Sequence, residues 1–367
     1  MSILKVPYIN LKEQHRLLRK DILSSVNRVL KNCDFVLGED VRKLEERFAK
    51  YCGTRFAVGV NSGTDALFLA MKAAGVCPGD EVITAPNSFL ASASAIVAIG
   101  AKPVFVDVGE DMNIDPAKVK AKITSRTKAI VPVHLTGRVA DMDPILSAAK
   151  EWGIAVIEDA AQAIGAEYKG KRAGSFGLAN AFSLHPLKTL NALGDGGMIT
   201  TDNENIHSLL LQLRNIGLKD RVRSDVWGFN SRLDTLQAAF VASKFSKVDA
   251  WIAKRRKNAD FYRKRLTDVV VCPRERSYEK HAYHLFVIQV EKRDALQEYL
   301  SKKGIETKIH YPIPIHLQKC AEGLGYKEGD FPNTERQSRR ILSLPIHQYL
   351  SQKQLQYTAD AILAFYP

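Results

Sequence analysis

Residues 153–201 read GIAVIEDAAQAIGAEYKGKRAGSFGLANAFSLHPLKTLNALGDGGMITT. Two short apolar runs stand out, each bounded by turn residues as strands are. Residues 154–158 end in the acids Glu158 and Asp159. Residues 181–184 end in His185-Pro186, and Lys188 follows two positions after the proline. The turn Gly194-Asp195-Gly196-Gly197 leads into a β-rich run, 198–201. Ligands of open α/β sheets bind beyond the carboxyl ends of strands. This arrangement therefore aims an acid and an amine at one cleft.

The flanking sequence repeats the pattern. Residues 56–60 are β-rich and run straight into Asn61-Ser62-Gly63-Thr64 and a helical stretch to Ala74. Gly63 and Thr64 would lie at a helix N-terminus, where free N–H groups and the dipole attract phosphate. The plainer alternative is that Asn61 and Ser62 only cap the helix. Residues 81–85 form the next strand and deliver Phe89, which reads as core or as a flat apolar face for a ligand. Strands at 102–108 and 128–133 end near Asp107 and His134. His134 reads as a core histidine with at most a lining role. Helices near 115–123 and 141–152 separate these strands, so the alternation implies βαβ units and a largely parallel sheet.

At the N-terminus, Leu17, Ile22, Val26 and Val29 are spaced as the inward face of a helix. A second helix carries Val41, Leu44, Phe48 and Tyr51 on one face, and Gly53 ends it. A helix is expected over 204–216, a polar loop over 221–227, and one long helix from Leu233 to about Leu266. Asn230 lies just before it and reads as an N-cap. Beyond residue 250 the pattern changes to a strand at 284–290, a helix at 293–303 and a short strand at 307–310, which suits a smaller α+β unit.

The chain has 367 residues, 46% hydrophobic and 25% charged, with a formal net charge of +13. That balance fits a soluble globular enzyme and favours an anionic partner. A nucleic-acid partner would want a basic patch on a known module; none is present. Cys33, Cys52, Cys77, Cys272 and Cys320 are scattered, so neither a disulfide framework nor a metal site is expected. No run approaches the roughly 18 apolar residues of a membrane span, and the N-terminus lacks a signal-peptide core. A cytoplasmic location is expected.

A lysine past a strand end can form a Schiff base with an aldehyde. Pyridoxal phosphate sites pair such a lysine with an acid at the pyridine nitrogen, and an ionised Asp159 would keep that nitrogen protonated. Alone, Lys188 would read as one more solvated loop lysine. Taken together, EDAAQAIGAEYKGKRAGSFG and FSLHPLKTLNALGDGGMITT resemble the DegT/DnrJ/EryC1/StrS family of pyridoxal-phosphate-dependent sugar aminotransferases. The likeness runs from FVLGEDVRKLEERFAKYCG to LSLPIH.

The resemblance implies an α/β fold, the fold type I of pyridoxal-phosphate-dependent transferases. A large domain, 1–250, would hold a mostly parallel seven-stranded sheet flanked by helices; a small α+β domain would span 251–367, with the first 30 or so residues packing on it. It implies Lys188 as the internal aldimine and proton shuttle, and Asp159 on the ring nitrogen. Gln162 would contact the phenolic oxygen, Phe89 the ring face, and Gly63, Thr64 and Ser183 the phosphate. Asn230 would reach the phosphate of a neighbouring subunit in a homodimer. His185, Tyr311 and His316 would face the substrate. The implied reaction moves an amino group from L-glutamate to a keto-sugar, most simply a nucleotide-linked keto-deoxysugar (dTDP, UDP or GDP). The GDGG spelling is commoner in enzymes aminating C-3 of such sugars, GEGG in those aminating C-4. Leu184 departs from the aromatic residue common there. Alternatives are a nucleotide-free keto-sugar acid as acceptor, sugar dehydration, and a catalytically silent binding or regulatory protein.

Overall fold

The computed structural model describes residues 4–366. Its strands are β1 (Phe56–Val60), β2 (Glu81–Thr84), β3 (Lys102–Phe105), β4 (Thr127–Ile130), β5 (Ala155–Asp159), β6 (Glu167–Tyr168), β7 (Lys171–Arg172), β8 (Ala179–Ser183), β9 (Gly197–Thr201), β10 (Glu279–Lys280), β11 (Phe286–Gln289) and β12 (Ile341–Leu344). Seven of them form one sheet in the order β1-β9-β8-β5-β4-β2-β3. Only β9 runs antiparallel to its neighbours; the remaining pairings are parallel. β2 and β9 are buried on both faces. That is why neither shows the in–out alternation of a half-exposed strand.

The helices are α1 (Leu11–Asn32), α2 (Glu39–Cys52), α3 (Gly63–Ala73), α4 (Ala91–Ala98), α5 (Pro116–Val119), α6 (Met142–Trp152), α7 (Glu204–Leu213), α8 (Thr235–Phe245), α9 (Val248–Leu266), α10 (Arg293–Lys302), α11 (Pro332–Arg340) and α12 (Gln352–Phe365). One core joins α2, α6 and α8 to the sheet through Leu44, Phe48, Ile145 and Phe240. A second joins α3, α4 and α7 through Leu69, Met71, Ile96 and Leu210. Both faces are thus covered, as a parallel sheet requires.

A third core is built late in the chain. Tyr262 and Leu266 of α9, Phe286 and Ile288, Leu296 and Leu300, Leu342 and Leu344, and Leu355 and Ile362 meet there. Val6 joins them: its N–H donates to Gly304 O and its carbonyl accepts from Glu306 N, both at 2.9 Å. Three returns tie this part to the earlier half of the chain. β10 pairs with β6, and Ile315 and Phe331 pack on Ala93 and Phe105. The N–H groups of Asn333 and Thr334 donate to Asp107 at 3.1 and 2.9 Å. No helix among the described residues is long and apolar enough to cross a membrane.

Three expectations change. The single helix over 233–266 is two, broken at the exposed Ser246 and Lys247. No glycine or proline marks the break; α8 serves the first core, whereas α9 ends in the third. In α1 the buried positions are Gln14, Leu18, Ser25 and Val29, and Leu17 is 54% exposed. Gln14 faces inward because its amide reaches Asn191 Oδ1 at 3.0 Å, an oxygen that also accepts from the fully buried Lys244. Residues 307–310 make only a single bridge, Lys308 to Ser343, rather than a strand.

Candidate active site

The carboxyl ends of β1, β2, β5 and β8 point the same way. After β1, Ser62 caps α3 by accepting from Asp65 N at 3.0 Å. Gly63 and Thr64 follow as the first helical residues, and their N–H groups have no partner among the described residues. The cap and the free amides thus coexist. A methyl on Gly63 would lie 2.5 Å from Ser183 Cβ, so glycine is what lets this helix end close onto β8. Gly197 has the same use, because a Cβ there would lie 2.1 Å from Ser62 O. The result is a corner of unpaired amides beside the Ser183 hydroxyl, shaped for an anion.

At the end of β5 the two acids part company. Glu158 is fully buried and accepts from Gly174 N, Phe176 N and Gly177 N at 2.7, 2.6 and 3.1 Å. His134 lies 2.8 Å from it through Nε2. Because Ala140 N donates to His134 Nδ1, the ring proton sits on Nε2 and points at Glu158. His134 is therefore a structural partner with no exposed surface, not a lining residue. Asp159 is 5% exposed. Its Oδ2 accepts from Ser92 Oγ at 2.7 Å and its Oδ1 from Ala161 N at 3.2 Å.

Gln162 Oε1 accepts from Thr136 N at 2.7 Å. That contact commits the amide NH₂ to the other side, toward Tyr311 Oη at 3.4 Å. Phe89 is 58% exposed, with its ring 5.7 Å from that of Tyr311. Gln162, Ser183, Lys188 and His284 line one cavity of about 10 Å³. A far larger cleft, about 1,030 Å³, lined among others by Asp111, Arg138, Arg276 and Gln289, contains none of the sequence-predicted residues.

Lys188 closes a tight turn, its N–H donating to His185 O at 2.8 Å. The amine has no hydrogen-bond or ion-pair partner among the described residues. Burial pushes its pKa below the usual lysine value, and the charge of Asp159 pulls the other way. Two histidines not singled out from the sequence feel Lys188. Burial first, and the lysine charge second, hold His284 well below the usual range and bring His310 to about 4. His310 Nδ1 also lies 2.8 Å from Ser343 Oγ.

The remaining expected residues fare unevenly. His185 is exposed at the turn, and Tyr311 is partly buried beside Gln162. His316 departs from the expectation of a substrate contact. It is 2% exposed, bonded to Glu335 at 3.0 Å and packed on Phe331. Asn230 caps no helix, since α8 starts at Thr235 after Asp234. It is exposed, bridging Asn215.

An unpaired, partly desolvated amine beside a buried carboxylate, with an anion corner across the strand ends, is the layout of a pyridoxal phosphate site. A model of the DegT/DnrJ/EryC1/StrS aminotransferase family matches residues 16–363. The chain belongs to this family. Members of the family depend on pyridoxal phosphate. Among its relatives, a Geobacillus stearothermophilus protein described as a pleiotropic regulatory protein is 44% identical over 368 residues, covering 99% of each chain. The dTDP-3-amino-3,4,6-trideoxy-alpha-D-glucose transaminase of Streptomyces venezuelae is 39% identical over 361 residues, covering 98% of this chain and 95% of its own. The crystal structure of S. venezuelae DesV in complex with a ketimine intermediate matches with a TM-score of 0.96 at 39% identity, covering 98% of each chain.

Proposed function

We propose that this aminotransferase moves an amino group from L-glutamate to C-3 of a dTDP- or UDP-linked keto-deoxysugar in the cytoplasm. The observation that carries the reading is the unpaired Lys188 amine within the field of Asp159, in a cavity shared with Gln162 and Ser183. The S. venezuelae relative, a transaminase named for a 3-amino dTDP-sugar, supports the acceptor class.

The residues fit pyridoxal 5′-phosphate. The Gly63–Thr64 amides and the Ser183 hydroxyl would hold its phosphate, and Phe89 would lie against its ring. Gln162, its amide turned by Thr136, would donate to the phenolic oxygen. When bound, the cofactor supplies an aldehyde and an electron sink. Asp159 would hold a proton at the ring nitrogen by its negative charge. Lys188 Nζ must be neutral to act as a base, and desolvation makes it so at a lower pH. In each half-reaction it would carry a proton between the substrate carbon and the cofactor's C4′, taking it from the donor's α-carbon in the first half and delivering one to the sugar carbon in the second. Burial keeps His284 and His310 neutral nearby, so no second cation competes for Asp159. His185 and Tyr311 would line the sugar side.

Asn230 stands on a loop that also exposes Ile216, Val222, Trp227 and Phe229; Trp227 is 96% exposed. We take this apolar surface as the seat of a second copy, with Asn230 serving that copy's phosphate corner. The division into a large domain, 1–250, and a small one, 251–367, is part of the same proposal. A purely regulatory role would leave no use for an unpaired desolvated amine facing a carboxylate.

The test is a visible spectrum. The protein reconstituted with pyridoxal 5′-phosphate should be yellow, lose that band on addition of L-glutamate with release of 2-oxoglutarate, and regain it with a dTDP- or UDP-linked 3-keto sugar. A protein that stays colourless overturns the reading. One that bleaches with glutamate but recovers only with other acceptors retains the donor and overturns the sugar.

A further inference from the structure

Ser92 is a polar residue where packing asks for none. It lies in the first turn of α4, 1% exposed, among Ala93, Ala95 and Ile96. An alanine there would suit the same packing and spare the desolvation of a hydroxyl. What the hydroxyl does instead is donate to Asp159 Oδ2 at 2.7 Å. Ser92 Oγ in turn accepts from Ser88 Oγ at 3.2 Å, and Ser88 is 3% exposed. The two serines stand four positions apart at the start of α4, on one side of the turn.

Each hydroxyl has a single proton. When Ser88 donates to Ser92 and Ser92 to Asp159, all dipoles point toward the carboxylate and reinforce one another. Asp159 Oδ1 meanwhile takes the Ala161 N–H. One donor on each oxygen fixes the carboxylate plane. Donors to a carboxylate also hold its negative charge in one place.

We propose that Ser92, with Ser88 behind it, is the positioning residue for Asp159: it sets the carboxylate plane, so that the negative charge stays aimed at a ring nitrogen and the proton there is held on the ring. The inference rests on the reading that Asp159 faces the cofactor's pyridine nitrogen. Ser92 touches neither cofactor nor substrate; it acts through Asp159.

The holoenzyme reconstituted with pyridoxal 5′-phosphate carrying ¹⁵N in the ring tests this, because the nitrogen chemical shift reports ring protonation. In Ser92→Ala the signal should move toward that of unprotonated pyridine. The cofactor concentration for half-saturation should rise about tenfold, as for the loss of one charge-assisted hydrogen bond. Ser92→Thr, which keeps the hydroxyl, should restore both. Ser88→Ala should move the signal the same way by less. Asp159→Asn separates the two claims. If its signal stays at the wild-type position, Asp159 does not face the nitrogen and the proposal falls with that reading. If it moves while folded Ser92→Ala keeps the wild-type signal, the proposal alone is overturned. Should Ser92→Ala not fold, Ser88→Ala carries the test, and an unmoved signal overturns the proposal.

Discussion

Lys188 and Asp159 carry the sharpest expectations. Lys188→Ala should abolish turnover with L-glutamate. Asp159→Asn should slow the first half-reaction about 10²- to 10³-fold, as loss of a preorganised charge does elsewhere. Single-turnover kinetics read both, and wild-type rates in either would refute the assignment. Gly63→Ala tests the anion corner. Its methyl would meet Ser183 Cβ at 2.5 Å and the strand backbone at Ser183 Cα at 2.9 Å, so cofactor affinity should fall at least about tenfold in an equilibrium titration, and the melting temperature should fall with it. Single residues were legible in the sequence where chemistry and place coincided. An acid and an amine at strand ends announce themselves, as do glycines entering a helix. Ser92, Thr136, His284 and His310 did not, since a serine or histidine gains its meaning only from the neighbour that folding brings. His316 shows the converse: it was expected to face the substrate, but Glu335 claims it.

The strands were the clearest elements, because each is a short β-rich run set between turn residues. Helix faces were less clear. A stripe holding Gln14 and Ser25 looks polar until Asn191 is set beside it, which is why Leu17 was mistaken for the inward residue. The α8–α9 break could not be foreseen at all, as it answers to which core each half joins. Asp107 offers a test at this scale. Both its oxygens cap α11 from across the molecule. Burial alone would raise its pKa, but the backbone donors Thr334, Val108 and Asn333 outweigh it and hold the carboxyl below its usual value. A depressed folded pKa means stabilisation above the normal value of 3.8 that is lost as pH falls through the folded one. Asp107→Ala should cost about 1–3 kcal/mol at neutral pH in urea unfolding. The gap from wild type should shrink below about pH 4.

For the whole molecule, the pH profile of stability turns on Lys244. Its amine is fully buried, 3.8 Å from the centre of the Phe240 ring and bonded to Asn191, with no carboxylate among its partners. Burial pushes its pKa down to about 6; His15 beside it is also lowered, by burial and then by Lys244. Between that value and the ordinary 10.5, the unfolded chain binds a proton that the folded chain does not. Stability should therefore rise with pH across this window, by up to about 1.4 kcal/mol per unit from this group. Lys244→Met should flatten the rise and stabilise the protein near pH 7. Urea titrations from pH 6.5 to 9.5 compare the two slopes, and equal slopes would refute the account.

The bond between Val6 and the segment around Gly304 has a consequence for how the chain is made. Tyr8 N–H donates to Glu306 298 positions later, and the Val6 bridge to Ile305 lies alongside. Ribosomal synthesis is vectorial, so Val6 and Tyr8 are made long before their partners. The main sheet is complete by Thr201 and can assemble on the emerging chain; the Val6 segment must wait, unpaired, until the chain has been made past Ile305. Removing the segment through Tyr8 would thus injure a core that is made only some 298 positions later.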